Sequence, residues 1–267
     1  MIQMNTHHPL DDRLPAMLRS GRRLRGLFNS LPSPAIVEMC GYAGFDFVII
    51  DNEHGSSGFE ITENMLRAAR ASGIVPVVRC LRQDISRVLD MGASAVQIPM
   101  VNSAIEARDL VQQVRYPGVG RRGSAFSSRA AGYGAFPGVT HSQRSNAGIA
   151  LIVMIETPEA VDQAAEIAAV DGVDAVFVGP NDLSHAMGFN NDWMCAPVLA
   201  EIERALRAID KAGNCGGIIA LTPDDEDKFG AWGARYFASV TTGLITQAFQ
   251  KASAAGGRSH AASRLTY

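Results

Sequence analysis

Short runs of bulky, mostly β-branched residues recur along the chain, separated by longer stretches with helical periodicity. The runs RGLF (25–28), DFVII (46–50), VPVVR (75–79), AVQI (95–98), IALIVMI (149–155), DAVFV (174–178), GGII (216–219) and RYFA (235–238) read as eight strands. They are almost continuously apolar rather than alternating, as strands are when both faces are covered. Helical patterns fill 33–43, 59–72, 102–115, 158–169, 198–212 and 222–231. Ser33 before Pro34, Thr157 before Pro158 and Thr222 before Pro223 each set a capping hydroxyl ahead of a proline at the first helical position.

Eight strands, each followed by a helix, predict an α/β fold: a single-domain (β/α)8 TIM barrel over residues 22–252. A doubly wound open sheet is the alternative, but no GxGxxG follows the first strand. Residues 1–21 are expected to form an N-terminal arm, loose and polar through residue 15, and 253–267 a frayed tail. The one long irregular stretch is 116–148, rich in Gly, Ser and Arg; loops of that length are usually functional or disordered.

Composition refines this picture by exclusion. The 267 residues are 47% hydrophobic, enough for a large core, and the net charge is −3. No basic field points to nucleic acid or a membrane surface, and no apolar run approaches the roughly 20 residues that span a bilayer. MIQMNTHHPLDDRLP lacks the apolar segment of a signal peptide. Cys40, Cys80, Cys195 and Cys215 are far apart and form no CxxC pair. Reduced thiols in a cytoplasmic protein are expected, and no structural zinc.

In a barrel, the C-terminal strand ends build the site. The second strand runs into Asp51, Asn52, Glu53 and His54, four residues able to titrate or coordinate. Such a cluster is either a solvated strand end or half of an active site. The third strand ends in Arg79, a salt-bridge partner or an anion clamp. The fourth gives Gln97, the fifth Glu156, and the sixth Asn181 and Asp182. Glu156 and Asp182 follow neighbouring strands. Two hard carboxylates with little else nearby suit an octahedral divalent cation that keeps open positions; alternatively, Glu156 caps the helix at Pro158. The turn GVGRRG (118–123) could hold an anion through its amides, or be a solvated or subunit-contacting loop. The only lysines, Lys211, Lys228 and Lys251, lie away from the strand ends. That disfavours a Schiff-base aldolase or a pyridoxal enzyme.

Taken together, GYAGFDFVIIDNEHG, VPVVR, VLDMGASAVQIPMV, YPGVGRRG, VMIETPEAV and GVDAVFVGPNDLSHAMG resemble the metal-dependent, class II pyruvate aldolases of the HpcH/HpaI group. The likeness covers roughly residues 22–250. It implies a barrel that cleaves 4-hydroxy-2-oxo acids to pyruvate and an aldehyde, or joins them. Glu156 and Asp182 match the ligands of a divalent cation (Mg2+, Mn2+ or Co2+), which the oxo acid also chelates. Amides around Asn181 and Asp182 match the site of the substrate carboxylate. Arg79 matches the arginine at the keto oxygen, His54 the general base, and Asp90 its acidic partner from the same or a neighbouring subunit. Met154 stands where some members carry a glutamine. The resemblance also implies a homohexamer built from dimers that exchange C-terminal helices. Two other readings remain open: a citrate-forming carbon–carbon ligase of a siderophore pathway on the same scaffold, and a non-catalytic oxo-acid-binding barrel.

Overall fold

The computed structural model describes residues 8–255. Eight parallel strands close into a barrel in strictly sequential order. They are β1 Leu24–Asn29, β2 Phe47–Asp51, β3 Val75–Arg79, β4 Ala95–Ile98, β5 Ala150–Ile155, β6 Ala175–Val178, β7 Cys215–Ile219 and β8 Ala234–Val240. β8 pairs with β1 to complete the ring, Gly26 lying opposite Ala238. All eight expected strands are present, each within two residues of the sequence reading.

The helices are α1 Leu14–Arg19, α2 Pro34–Tyr42, α3 Phe59–Ser72, α4 Ile85–Asp90, α5 Ala104–Val114, α6 Val139–Gly148, α7 Pro158–Asp162, α8 Ala164–Ala168, α9 Pro180–Ala186, α10 Ala196–Lys211, α11 Pro223–Ala231 and α12 Thr241–Ala255. The three anticipated caps form: Ser33, Thr157 and Thr222 accept hydrogen bonds from the amides of Ile36, Ala160 and Asp225. The single helix expected over 158–169 is broken at Gln163 into α7 and α8. The stretch 116–148 is less irregular than its composition suggests, because α6 occupies its last third. That helix is polar and follows Gly138 without a side-chain cap, so neither periodicity nor a start signal marks it.

Two apolar layers hold the barrel. Between strands and helices, Val48, Ile50, Val78, Val96 and Val153 meet Met65, Leu66, Val88 and Leu110. Inside the ring, large and small side chains alternate. Phe47 stacks on Tyr236 with centroids 4.1 Å apart, and Phe177 meets Tyr236 edge-on at 6.0 Å. Gly26 makes room for this: a Cβ there would lie 2.3 Å from the Phe47 ring. The described part of the N-terminal arm is not loose. Leu10, Leu14 and Leu18 are buried; Leu14 and Leu18 belong to the cluster that fills the barrel interior. The stacking of His8 on His141 of α6 anchors the arm further. Every fourth residue from Leu10 to Leu18 is a buried leucine, which outweighs the polar residues between them. The rest of the arm and most of the expected tail lie outside the described residues.

Candidate active site

The C-terminal ends of the strands surround a pocket of about 340 Å³. Asp51, His54, Arg79, Glu156, Asn181 and Asp182 all line it. The opposite wall is apolar, from Phe28, Met154, Phe177, Ile219 and Val240. Thus five of the six residues singled out for catalysis, substrate or metal converge on one cavity: His54, Arg79, Glu156, Asn181 and Asp182. Gln97 does not belong to it. Its side chain is buried within the barrel, where the Tyr236 hydroxyl donates to Oε1 at 3.5 Å.

The polar turn after β2 is organised by Asp51. One oxygen, Oδ1, accepts from the amides of Glu53 (3.1 Å) and His54 (3.3 Å), curling the chain back over the strand end. Gly55 is required next, since a Cβ there would lie 2.1 Å from the Asp51 carbonyl oxygen. The same carboxylate takes two hydrogen bonds from Arg79, Nε to Oδ1 at 2.9 Å and Nη2 to Oδ2 at 2.6 Å. Glu53 lies 3.2 Å from Nη1, and the guanidinium sits over the Phe28 ring at 4.9 Å. The salt-bridge reading of Arg79 is met within the chain. It is a buried ion-pair partner, and its guanidinium still faces the pocket. His54 reaches solvent; its ring is 65% exposed.

Glu156 is buried, 2% exposed. The Met100 amide donates to Oε2 at 2.7 Å; Met100 has a left-handed backbone (φ 56°), which an L side chain rarely adopts. The Oε1 oxygen runs beside Gly179, where a Cβ would lie 2.5 Å away. Burial, with Asp182 and Glu53 adding to it, pushes the Glu156 carboxyl up to about 7 against the opposing pull of the Met100 amide and Arg79. Asp182 lies in the first turn of α9. Among the described residues no group of three or more His, Cys, Asp or Glu could hold a metal ion.

The donor set fits a hard divalent cation that takes its remaining ligands from water and substrate. A buried carboxylate that resists ionisation, facing a second carboxylate, lacks positive charge that such an ion supplies. Neither carboxylate is consumed by another partner: Glu156 gives one oxygen to Met100, and the reading of Glu156 as a mere helix cap fails because Thr157 makes that cap.

Asp90, the sixth site residue expected, is not in the pocket. It ends α4, where Arg122 Nη2 donates to Oδ1 at 2.7 Å, and the Arg122 guanidinium covers the Tyr116 ring at 4.4 Å. Within one chain the structure does not bring Asp90 to His54. The GVGRRG turn folds against α5 instead of holding an anion: the Arg121 amide donates to Gln112 O and the Arg122 amide to Arg115 O. Sequence reasoning missed Ser30, His185 and Asn191 in the pocket lining. His185 carried a findable signal, as it lies one helical turn after Asp182 and so on the same face.

The sequence profile of the HpcH/HpaI aldolase/citrate lyase family matches residues 24–247. A hydroxypyruvate/pyruvate aldolase of Roseovarius nubinhibens is 40% identical over 225 residues, 83% of this chain and 87% of that protein. A 2-keto-3-deoxy-L-rhamnonate aldolase of Klebsiella pneumoniae is 35% identical over 239 residues, 88% and 89% of the two chains. Among solved structures, the citrate synthase SbnG superposes with a TM-score of 0.81 at 29% identity, covering 91% of this chain and 96% of that one.

Proposed function

The chain belongs to the HpcH/HpaI aldolase/citrate lyase family, and from that premise we propose that it is a divalent-metal-dependent aldolase that reversibly cleaves 4-hydroxy-2-oxo acids to pyruvate, or a related 2-oxo acid, and an aldehyde. One observation carries the reading: the buried Glu156 shares a pocket with Asp182, an arginine and an exposed imidazole. Aldolase-named relatives at 35–40% identity over most of the chain support it.

Glu156 and Asp182 would hold the cation (Mg2+, Mn2+ or Co2+), which when bound supplies positive charge at the oxo acid's carboxylate and keto oxygens. The residues of the chain do the rest. His54, exposed at the rim, takes the proton of the 4-hydroxyl. The C3–C4 bond then breaks, the aldehyde departs, and the electron pair remains as the enolate of pyruvate. Arg79 faces that enolate oxygen and stabilises its growing charge. Asp51 keeps the guanidinium aimed by occupying two of its N–H groups. The enolate takes up a proton at C3 to give pyruvate, or attacks an aldehyde in reverse. Amides at Asn181 and Asp182 hold the substrate carboxylate, and the apolar wall excludes water from the enolate. No lysine lines this pocket, so the reading needs no covalent imine.

Any approach of Asp90 to a His54 requires a second subunit. We propose a homohexamer of dimers with exchanged α12 helices; Leu244 and Phe249 of α12 support it, being 42% and 70% exposed. Light scattering checks this, and a monomer at micromolar concentration contradicts it. The four cysteines are unpaired and Cys40, Cys80 and Cys215 are buried, which supports a reducing, cytoplasmic setting. Among the described residues no helix is long and apolar enough to cross a membrane.

The experiment that tests the assignment offers pyruvate and a panel of aldehydes with Mg2+, Mn2+ or Co2+. New 4-hydroxy-2-oxo acids are expected. Thiol release from acetyl-CoA with oxaloacetate, and no aldol product, would replace the aldolase with the citrate-forming ligase.

A further inference from the structure

The turn after β2 carries one more carboxylate than the reaction above employs. Glu53 Oε2 is buried and has no hydrogen-bond partner. It lies 3.2 Å from Arg79 Nη1 and 4.0 Å from His54 Nε2. That oxygen is held by the Arg79 ion pair alone and, with no hydrogen bond of good geometry, keeps accepting capacity to spare. Asp51 already engages Nε and Nη2 of Arg79, so the Nη1 edge is faced by Glu53. The two neighbours differ in freedom: the Glu53 side chain is 15% exposed and walled in, whereas the His54 ring is 65% exposed. Asp90, which the family resemblance pairs with His54, gives one oxygen to Arg122 in its own chain.

We propose that Glu53 is a positioning residue, a single carboxylate that orients the His54 imidazole from its Nε2 edge and holds the Nη1 edge of Arg79. Base and oxyanion clamp are thereby kept in register within one subunit. The inference rests on the aldolase reading for what the two groups do, but the Glu53–His54 pairing is measurable without turnover. Other charged groups that face Glu53 are Asp51 on β2, Arg79 on β3 and Asp182 on α9. The two aspartates repel it, whereas Arg79 and His54 attract it.

The test uses the full-length protein with Mg2+ and compares Glu53→Gln, Glu53→Asp and Asp90→Asn. Glu53→Gln is expected to keep its melting temperature and Mg2+ affinity, and to lose about 10–100-fold in kcat while KM for the oxo acid stays within about twofold. Little further loss is expected when His54→Ala is already present, because residues acting as a unit are not additive. Glu53→Asp, which keeps the charge on a shorter stem, should recover part of kcat. Independently of activity, the ring-nitrogen NMR signals of His54, identified by their loss in His54→Ala, should move in Glu53→Gln. Full kcat, additive losses, or ring signals that respond to Asp90→Asn and not to Glu53→Gln would overturn the proposal. Ring signals that respond to Glu53→Gln, together with a wild-type protein that turns over none of the aldehydes, would fault the aldolase reading and leave the pairing standing.

Discussion

Asp51 grips Arg79 at both ends of one carboxylate, 2.9 Å from Nε and 2.6 Å from Nη2, with side chains 4% and 11% exposed. The pair explains why a buried strand ends in charge. Removing one partner strands the other in an apolar setting, at a cost of about 3–5 kcal/mol. Asp51→Ala should therefore lower the melting temperature sharply. Arg79→Lys should keep most of the stability but only a small part of kcat, since lysine lacks the planar fork. Thermal unfolding and steady-state kinetics check both; near-full kcat in Arg79→Lys would leave the arginine a structural ion pair.

Gly179 gives a second test, this one of the metal site by shape alone. A Cβ there would lie 2.5 Å from Glu156 Oε1 and contact its Cγ and Cδ at 2.7 and 3.0 Å. Gly179→Ala should displace the carboxylate and reduce Mg2+ affinity at least about tenfold, without removing any ligand. Calorimetric titration of the variant decides it; unchanged affinity would place the cation elsewhere.

The pH dependence follows from Glu156. Its folded carboxyl is raised from 4.5 to about 7, mainly by burial. Between those values the folded metal-free protein binds more protons than the unfolded chain, so its stability falls as pH rises through that window. Cation binding must displace the proton, so Mg2+ affinity should weaken below pH 7, by up to about tenfold per unit. Saturating Mg2+ at 100 times Kd should restore about 2.7 kcal/mol at pH 8. Melting curves with and without Mg2+ at pH 6 and 8 check this, the larger gain being expected at pH 8. Equal gains at both would mean that Glu156 ionises freely.

Base and ligand can be separated at His54. His54→Ala should lose about 10²–10⁴-fold in aldol cleavage yet bind Mg2+ and then pyruvate as wild type does. Loss of metal binding would make His54 a ligand.

The strands were legible because β2, β3, β5 and β6 are buried throughout and so are apolar up to Asp51 and Arg79, the charged residues that end β2 and β3. Once the barrel was drawn, its geometry alone sent Arg79, Glu156 and Asp182 to one pole. What escaped was set by backbone and by distance. The Met100 amide that fixes Glu156 depends on a left-handed φ at a methionine, which residue type does not announce. The Asp90–Arg122 pair joins residues 32 apart across a turn that seemed shaped for an anion. Leu10, Leu14 and Leu18 are all buried, but the first two lie among charges and a proline that disguise it.

The central claim is that Glu156 and Asp182 hold a cation that lets this pocket make the enolate of pyruvate. Pyruvate incubated with the protein and Mg2+ in D2O, followed by proton NMR of its methyl group, measures that step without any aldehyde. Wild type should exchange the methyl protons for deuterium. Exchange should cease with a chelator and in Glu156→Gln and Asp182→Asn variants that keep the wild-type melting profile. Exchange that persists in the presence of the chelator, or at the wild-type rate in either variant, would contradict the account.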